Sequence, residues 1–153
     1  MRNVFGATNG VKVHGKKKAR RKFVKLVRKP SRKSLVKKLD TLFSLFIRLR
    51  DRKKFSYCPF PHRDGPRLIE CCFHFITRAK YATRWSEDNC IGSCNSCNFE
   101  YEFNPHPYIA WFIRANSQAA YERLIQQSRG ILKFSNSDLS DKIEYYKVLL
   151  EAK

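Results

Sequence analysis

Two cysteines, Cys94 and Cys97, stand two residues apart and are followed at once by Asn98, with His74 and Asn89 upstream. A Cys-x-x-Cys turn lets two thiolates reach one tetrahedral Zn²⁺, and anchoring that turn fixes where the next side chain points. Asn98 then offers an amide carbonyl to a hard divalent ion, Mg²⁺ or Mn²⁺, which prefers oxygen and keeps several waters. His74 is a candidate general base, because an unperturbed imidazole titrates near pH ~6.5 and is substantially neutral at pH 7. Asn89 can hold that imidazole in one tautomer or pin the loop. A base, a divalent ion and cations that grip the backbone are what hydrolysis of a phosphodiester needs.

The zinc reading needs two more ligands. Cys58-Pro59-Phe60-Pro61-His62 supplies a Cys-x-x-x-His pair, so Cys58, His62, Cys94 and Cys97 would form a mixed structural site. Cys71 or Cys90 could replace His62 as the fourth ligand. Otherwise Cys71, Cys72 and Cys90 read as small core residues. His106, between two prolines, reads as a surface residue at a helix entry.

These residues must be positioned by elements that the periodicity marks. Leu35, Leu39, Leu42, Phe43, Phe46 and Leu49 repeat at three and four residue steps, which predicts an amphipathic helix over 34–54 with Ser34 as its N-cap. Its other face carries Lys37, Lys38, Arg48 and Arg52. A turn-rich knuckle with Pro59, Pro61, Gly65 and Pro66 leads into a strand-like run, Arg67 to Ile76, that carries His74. A basic loop then reaches Asn89. A short helix is expected from the cysteine turn to about Tyr101. Further helices are expected from Pro105 to Ala115, from Gln118 to Ser128 with Gly130 ending it, and from Ser137 to Ala152.

Composition bounds the partner. The chain has 153 residues and is 42% hydrophobic, with 12 Phe and 2 Trp, enough for a packed core. Its 32 Lys and Arg against 13 Asp and Glu give a net charge of +19, a field that attracts polyanions, nucleic acid above all. No acidic residue precedes Asp40, so residues 1–33 read as a basic, flexible arm, with Lys16, Lys17, Lys18, Arg20, Arg21 and Lys22 as backbone-binding candidates. Arg78, Lys80 and Arg84 in the later loop are candidates for clamping phosphates. An apolar signal region and an apolar run of spanning length are both missing. We therefore expect a cytoplasmic, reducing location, without membrane contact, and thiolate ligation in place of disulfides.

The order of these elements, a histidine strand, a loop, then a helix after Cys-x-x-Cys, is that of the ββα-metal nuclease finger. Phe46 to Arg52, Phe73-His74-Phe75, Arg84-Trp85-Ser86-Glu87-Asp88-Asn89 and Cys94-Asn95-Ser96-Cys97-Asn98 together resemble the NinG (Rap) recombination endonucleases of lambdoid phages, over about two thirds of the chain. The resemblance extends to phage endonuclease VII and the wider HNH group. It implies an α+β fold, with a small zinc-stabilised, treble-clef-like finger (55–104) between an amphipathic helix (34–54) and C-terminal helices (105–153). It also implies a Mg²⁺- or Mn²⁺-dependent endonuclease acting on branched DNA such as Holliday junctions or D-loops, as a homodimer with the amphipathic helices as interface. His74 would be the base, Asn98 a catalytic-ion ligand and Asn89 the middle residue of the motif. Two positions depart from the family pattern. The first knuckle has only Cys58 in place of Cys-x-x-Cys, and Cys71 and Cys72 stand where many HNH proteins carry an Asp or His for the catalytic ion, so His74 could itself be a ligand. The rival readings are a non-catalytic zinc-knuckle protein that binds nucleic acid, and an HNH nickase without branch preference.

Overall fold

A computed structural model describes residues 29–152. The basic run from Lys16 to Lys22 lies outside the described residues. The chain is α+β, with five α-helices and one two-stranded sheet among the described residues.

Helix α1 spans Arg32–Lys54. Its cap is Ser31, not Ser34: the Ser31 hydroxyl accepts from the Ser34 N–H at 3.2 Å, satisfying a donor that the first turn leaves free. Pro30 sits just ahead, where a missing N–H costs nothing. The apolar stripe is buried at Leu35, Leu39, Phe43, Phe46 and Ile47.

Strand β1 (Cys71–His74) pairs antiparallel with β2 (Cys90–Ser93), in the register Cys71 to Ser93, Cys72 to Gly92, Phe73 to Ile91 and His74 to Cys90. The strand-like run expected from Arg67 to Ile76 is thus cut to four residues. The partner sets that limit: a 3₁₀ turn, Glu87–Asn89, ends β2 on one side and the cysteine turn on the other. One further bond continues the ladder at each end, Glu70 N–H to Ser93 O at 2.8 Å and Phe75 N–H to Asn89 O at 3.0 Å. Gly65 takes a positive φ of 94° in the turn before β1, as the Gly-Pro pair leads one to expect.

Helix α2 (Asn95–Glu100) opens in the cysteine turn; α3 (His106–Asn116), α4 (Gln118–Arg129) and α5 (Asn136–Glu151) follow. Each lies within two residues of its expected bounds. Helix α5 starts earlier than expected, because Ser135 and Asp138 form a reciprocal capping box.

The sheet separates two cores. Opposite residues of an antiparallel pair share a face, so Cys72, His74, Cys90 and Gly92 point one way and Phe73 and Ile91 the other. On the first face α1 packs with α5 through Leu39, Phe43, Ile47, Leu139, Ile143 and Tyr146. On the second, Phe73 and Ile91 join Phe60, Phe75, Tyr108, Phe112 and Leu124. Phe60 and Phe73 lie at 5.0 Å between ring centroids, and Phe75 and Phe112 at 4.6 Å, within the range where aromatic rings attract. The apolar stripe of α1 is thus buried against α5 and the sheet.

A buried ion pair joins α1 to the sheet. Asp51 is 2% exposed; its carboxylate accepts from the Gly92 N–H at 2.6 Å and from Arg50, which also donates to Cys90 O at 2.9 Å. A Cβ at Gly92 would stand 2.7 Å from Ile69 Cγ2 and 3.2 Å from Asp51 Cβ, so this close approach requires glycine. Arg52 fastens the same helix to Ile69 O at 2.6 Å. On the basic face of α1, then, Arg52 is a tie to the loop before β1.

Candidate metal centre and catalytic cleft

The donor atoms of Cys58, His62, Cys94 and Cys97 all lie within 4.8 Å of one another. His62 Nε2 is 3.7 Å from Cys94 Sγ and 3.6 Å from Cys97 Sγ. Zinc–sulfur and zinc–nitrogen bonds at the tetrahedral angle put such ligand atoms about 3.5 Å apart, so the donor set fits. Cys94 caps α2, which places Cys97 one turn on and turns both thiols inward. Cys58 arrives through its N–H bond to Arg67 O at 2.7 Å, which closes the knuckle. Burial pushes the Cys58 and Cys97 thiols up. Burial opposes ionisation of Cys94 too, but bonds from Ser96, Cys97 and Cys58 outweigh it and hold that thiol below its ordinary value. A dication resolves this conflict by taking the place of the protons. The four residues can hold a structural metal such as zinc.

Of the three candidates for the fourth donor, His62 is the one grouped with Cys58, Cys94 and Cys97. Cys71 turns its thiol to Ser93 O at 3.4 Å and Cys94 O at 3.5 Å, and Cys90 lies on the opposite face of the sheet.

Three of the remaining candidates, His74, Arg78 and Asn98, line a cleft of about 670 Å³. Its walls are Ser44 of α1; Cys71, Cys72 and His74 of β1; Thr77 and Arg78 of the loop; and Asn98, Tyr101, Glu102 and Pro105. His74 and Asn98 are thus brought together from positions far apart in sequence. Asn98 is exposed and follows the buried Cys97 directly. The His74 Nε2 lies 3.2 Å from Arg84 O, and Nδ1 lies 3.3 Å from Cys72 O and 4.0 Å from Cys72 Sγ.

Asn89 has a different place from the one sequence suggested. It is fully buried, and none of its hydrogen bonds reaches His74. Its Oδ1 accepts from Ile76 N–H at 2.7 Å, while Nδ2 donates to Ile76 O at 2.9 Å and Thr83 O at 3.0 Å. Of the two roles open to it, pinning the loop is the one the contacts carry, and Asn89 leaves the catalytic group. A side-chain amide mimics a strand edge here, which explains why an asparagine suits the position.

Arg84 is corrected as well. Its guanidinium donates to both oxygens of Asp40, at 3.0 and 2.6 Å, and to Arg78 O at 2.8 Å, so few donors are left for phosphate. Trp85 Nε1–H donates to the same Asp40, at 2.9 Å. Arg78 and Lys80 are exposed, and Arg78 reaches the cleft. His106 is exposed at the start of α3.

Sequence reading missed two features. Glu102, in the turn just after α2, lines the cleft together with Asn98. Cys72, His74 and Cys90 form a second group whose donor atoms lie within 4.8 Å. A bond from Cys90, helped by His74 and opposed by burial, brings the Cys72 thiol down to about 6; burial raises Cys90. Only the strand register reveals this group. The aromatic set of the C-terminal half also divides: Tyr101, Tyr108, Trp111 and Phe112 pack inward, whereas Phe99 and Phe103 stay 66% and 74% exposed, 5.2 Å apart, next to the cleft residues Asn98 and Glu102.

No helix among the described residues is long and apolar enough to cross a membrane. Comparison with family models, curated proteins and solved structures finds no match.

Proposed function

We propose that the protein is a divalent-metal-dependent DNA endonuclease of the ββα-metal type. The observation that carries this reading is the meeting of His74, Asn98, Glu102 and Arg78 on one cleft, behind a turn that zinc would pin. Zinc at Cys58, His62, Cys94 and Cys97 would hold the turn and take no part in hydrolysis.

The reaction requires one tautomer of His74: with Nε2–H on Arg84 O, at 3.2 Å, Nδ1 is the basic nitrogen. That nitrogen takes a proton from the attacking water as the water oxygen bonds to phosphorus and the bond from phosphorus to the leaving oxygen breaks. Oxygen donors on Asn98 and Glu102 suit Mg²⁺ or Mn²⁺, which would stabilise charge on the phosphate and the leaving oxygen. Arg78 and Lys80 hold the backbone, and the net charge of +19 gathers the polyanion at the surface. Asn89 and the Arg84–Asp40 pair fix the loop between His74 and the cysteine turn, as positioning groups. Branched DNA as the preferred substrate, a homodimer on it and a bacterial cytoplasmic setting come from the resemblance to the NinG (Rap) group.

One observation favours a second reading. Both ring nitrogens of His74 face main-chain carbonyls, as in a histidine that serves packing, and this suits a zinc-knuckle protein that binds nucleic acid without cutting it. Labelled four-way junction and linear duplex, incubated with wild type, His74→Ala and Asn98→Ala in Mg²⁺, Mn²⁺ or EDTA, separate the two. We expect cleavage by wild type alone, lost in EDTA and greater on the junction. Binding without cleavage in every metal leaves the second reading, and equal cutting of both substrates removes the branch preference.

A further inference from the structure

We propose that Cys72, His74 and Cys90 form a second metal site, selective for a borderline or soft ion of the Zn²⁺ class, and that filling it switches hydrolysis off. The register builds the site. Cys72 and His74 are two residues apart on one strand and so share a face, and Cys90 is the cross-strand neighbour of His74 on that face. Their three donor atoms lie within 4.8 Å of one another. Cys90, 4% exposed, closes the back, while Cys72 and His74 open on the cleft, which gives an ion a way in.

The donor chemistry sets the ion. Two sulfurs and an imidazole suit Zn²⁺, Co²⁺ or Cu⁺ and repel the oxygen-seeking Mg²⁺. Three protein ligands leave a fourth position toward the cleft, the arrangement of an open zinc site. The charge fits as well: two thiolates offset the dication, and Asp51 neutralises the neighbouring Arg50. The nitrogen nearest Cys72 Sγ is Nδ1, at 4.0 Å, the same nitrogen that would take the proton from water. Its lone pair cannot serve both partners. Inhibition, unlike the binding itself, rests on the proposed hydrolytic role of His74.

The test is titration of the metal-free, reduced full-length chain with Co²⁺, read by its thiolate charge-transfer and d–d absorption. We expect two equivalents for wild type and one for Cys72→Ser/Cys90→Ser. A single equivalent in wild type, or two in the double variant, overturns the site. Should the double variant not fold, wild type still decides: a second equivalent of Zn²⁺ must slow alkylation of Cys72 at least tenfold in peptide mass spectrometry, and an unchanged rate overturns the site. The switch is read in Mg²⁺, where the second equivalent of Zn²⁺ should lower junction cleavage at least tenfold in wild type and leave the double variant insensitive, whatever its own rate. Equal zinc sensitivity in the two proteins overturns the switch. If wild type never cleaves, the nuclease reading fails, and the stoichiometry still rules on the site.

Discussion

The two cysteine–histidine groups occupy opposite sides of one small sheet, and they differ in what surrounds them. Cys58, His62, Cys94 and Cys97 offer four donors, with three of the residues buried in the aromatic core and only His62 partly exposed. Cys72, His74 and Cys90 offer three, two of them facing a cleft that also holds Asn98, Glu102 and Arg78. A closed four-ligand set stabilises a fold, whereas an open three-ligand set leaves room for exchange. The same residue types thus divide between a closed set in the core and an open one on the cleft, and the division follows from the face each strand position takes.

The largest effect that would sharpen this contrast is loss of the closed site. Structural zinc contributes about 10–16 kcal/mol in small zinc domains, comparable with or above the ~5–15 kcal/mol of a whole domain. Strong chelation, or Cys94→Ser, should therefore abolish the cooperative thermal transition seen by circular dichroism, while Cys90→Ser keeps it. Equal melting of all these samples would break the contrast. Next, Asn89→Ala removes three buried bonds and should cost about 2–4 kcal/mol in urea unfolding. Asn98→Ala, on the exposed rim, should change stability by no more than about 0.5 kcal/mol and lose cleavage.

Gly92→Ala tests the face that carries the open group. Its Cβ would meet Ile69 at 2.7 Å, so we expect a loss of about 1–3 kcal/mol from overpacking. Co²⁺ binding at the four-ligand group should be unchanged; weakened binding there would join two regions that the sheet keeps apart. A smaller difference separates two arginines of the loop. Arg84→Ala strips Asp40 of its bidentate partner and should cost about 1–2 kcal/mol, lessened by the solvent that still reaches the pair. Arg78→Ala should leave stability alone and lower the salt dependence of DNA binding by about one counterion.

The smallest effect lies far from both groups. Backbone and side-chain bonds from Ser135 hold the Asp138 carboxyl below the usual carboxylate range. A depressed value means the cap contributes above the unfolded-state titration and is lost as pH falls through the folded one. Asp138→Asn should therefore flatten the acid limb of the stability curve slightly, measured by melting temperature between pH 2 and 5, about the unfolded value of ~3.9. No change in that limb would show that the box contributes nothing measurable to α5.

Much of the scaffold was legible because it is local. Leucine and phenylalanine spacing marks α1, prolines and Gly130 bound α3 and α4, and Cys94-x-x-Cys97 announces both a metal turn and the start of α2, since each depends on neighbours a few residues away. Cys58 and His62 were readable as candidate ligands by spacing, but the choice of His62 over Cys71 and Cys90 needed the strand faces. The sequence by itself determined the helices, the basic charge, the thiolate-rich turn and the candidate base. Only the tertiary structure decided that Asn89 binds a loop and not an imidazole, that Arg84 belongs to Asp40, that Glu102 shares the cleft with Asn98, and that Cys72, His74 and Cys90 converge. The physical reason is that a four-residue pairing register brings together groups up to 22 positions apart and turns each to one face or the other, and neither spacing nor composition carries that register.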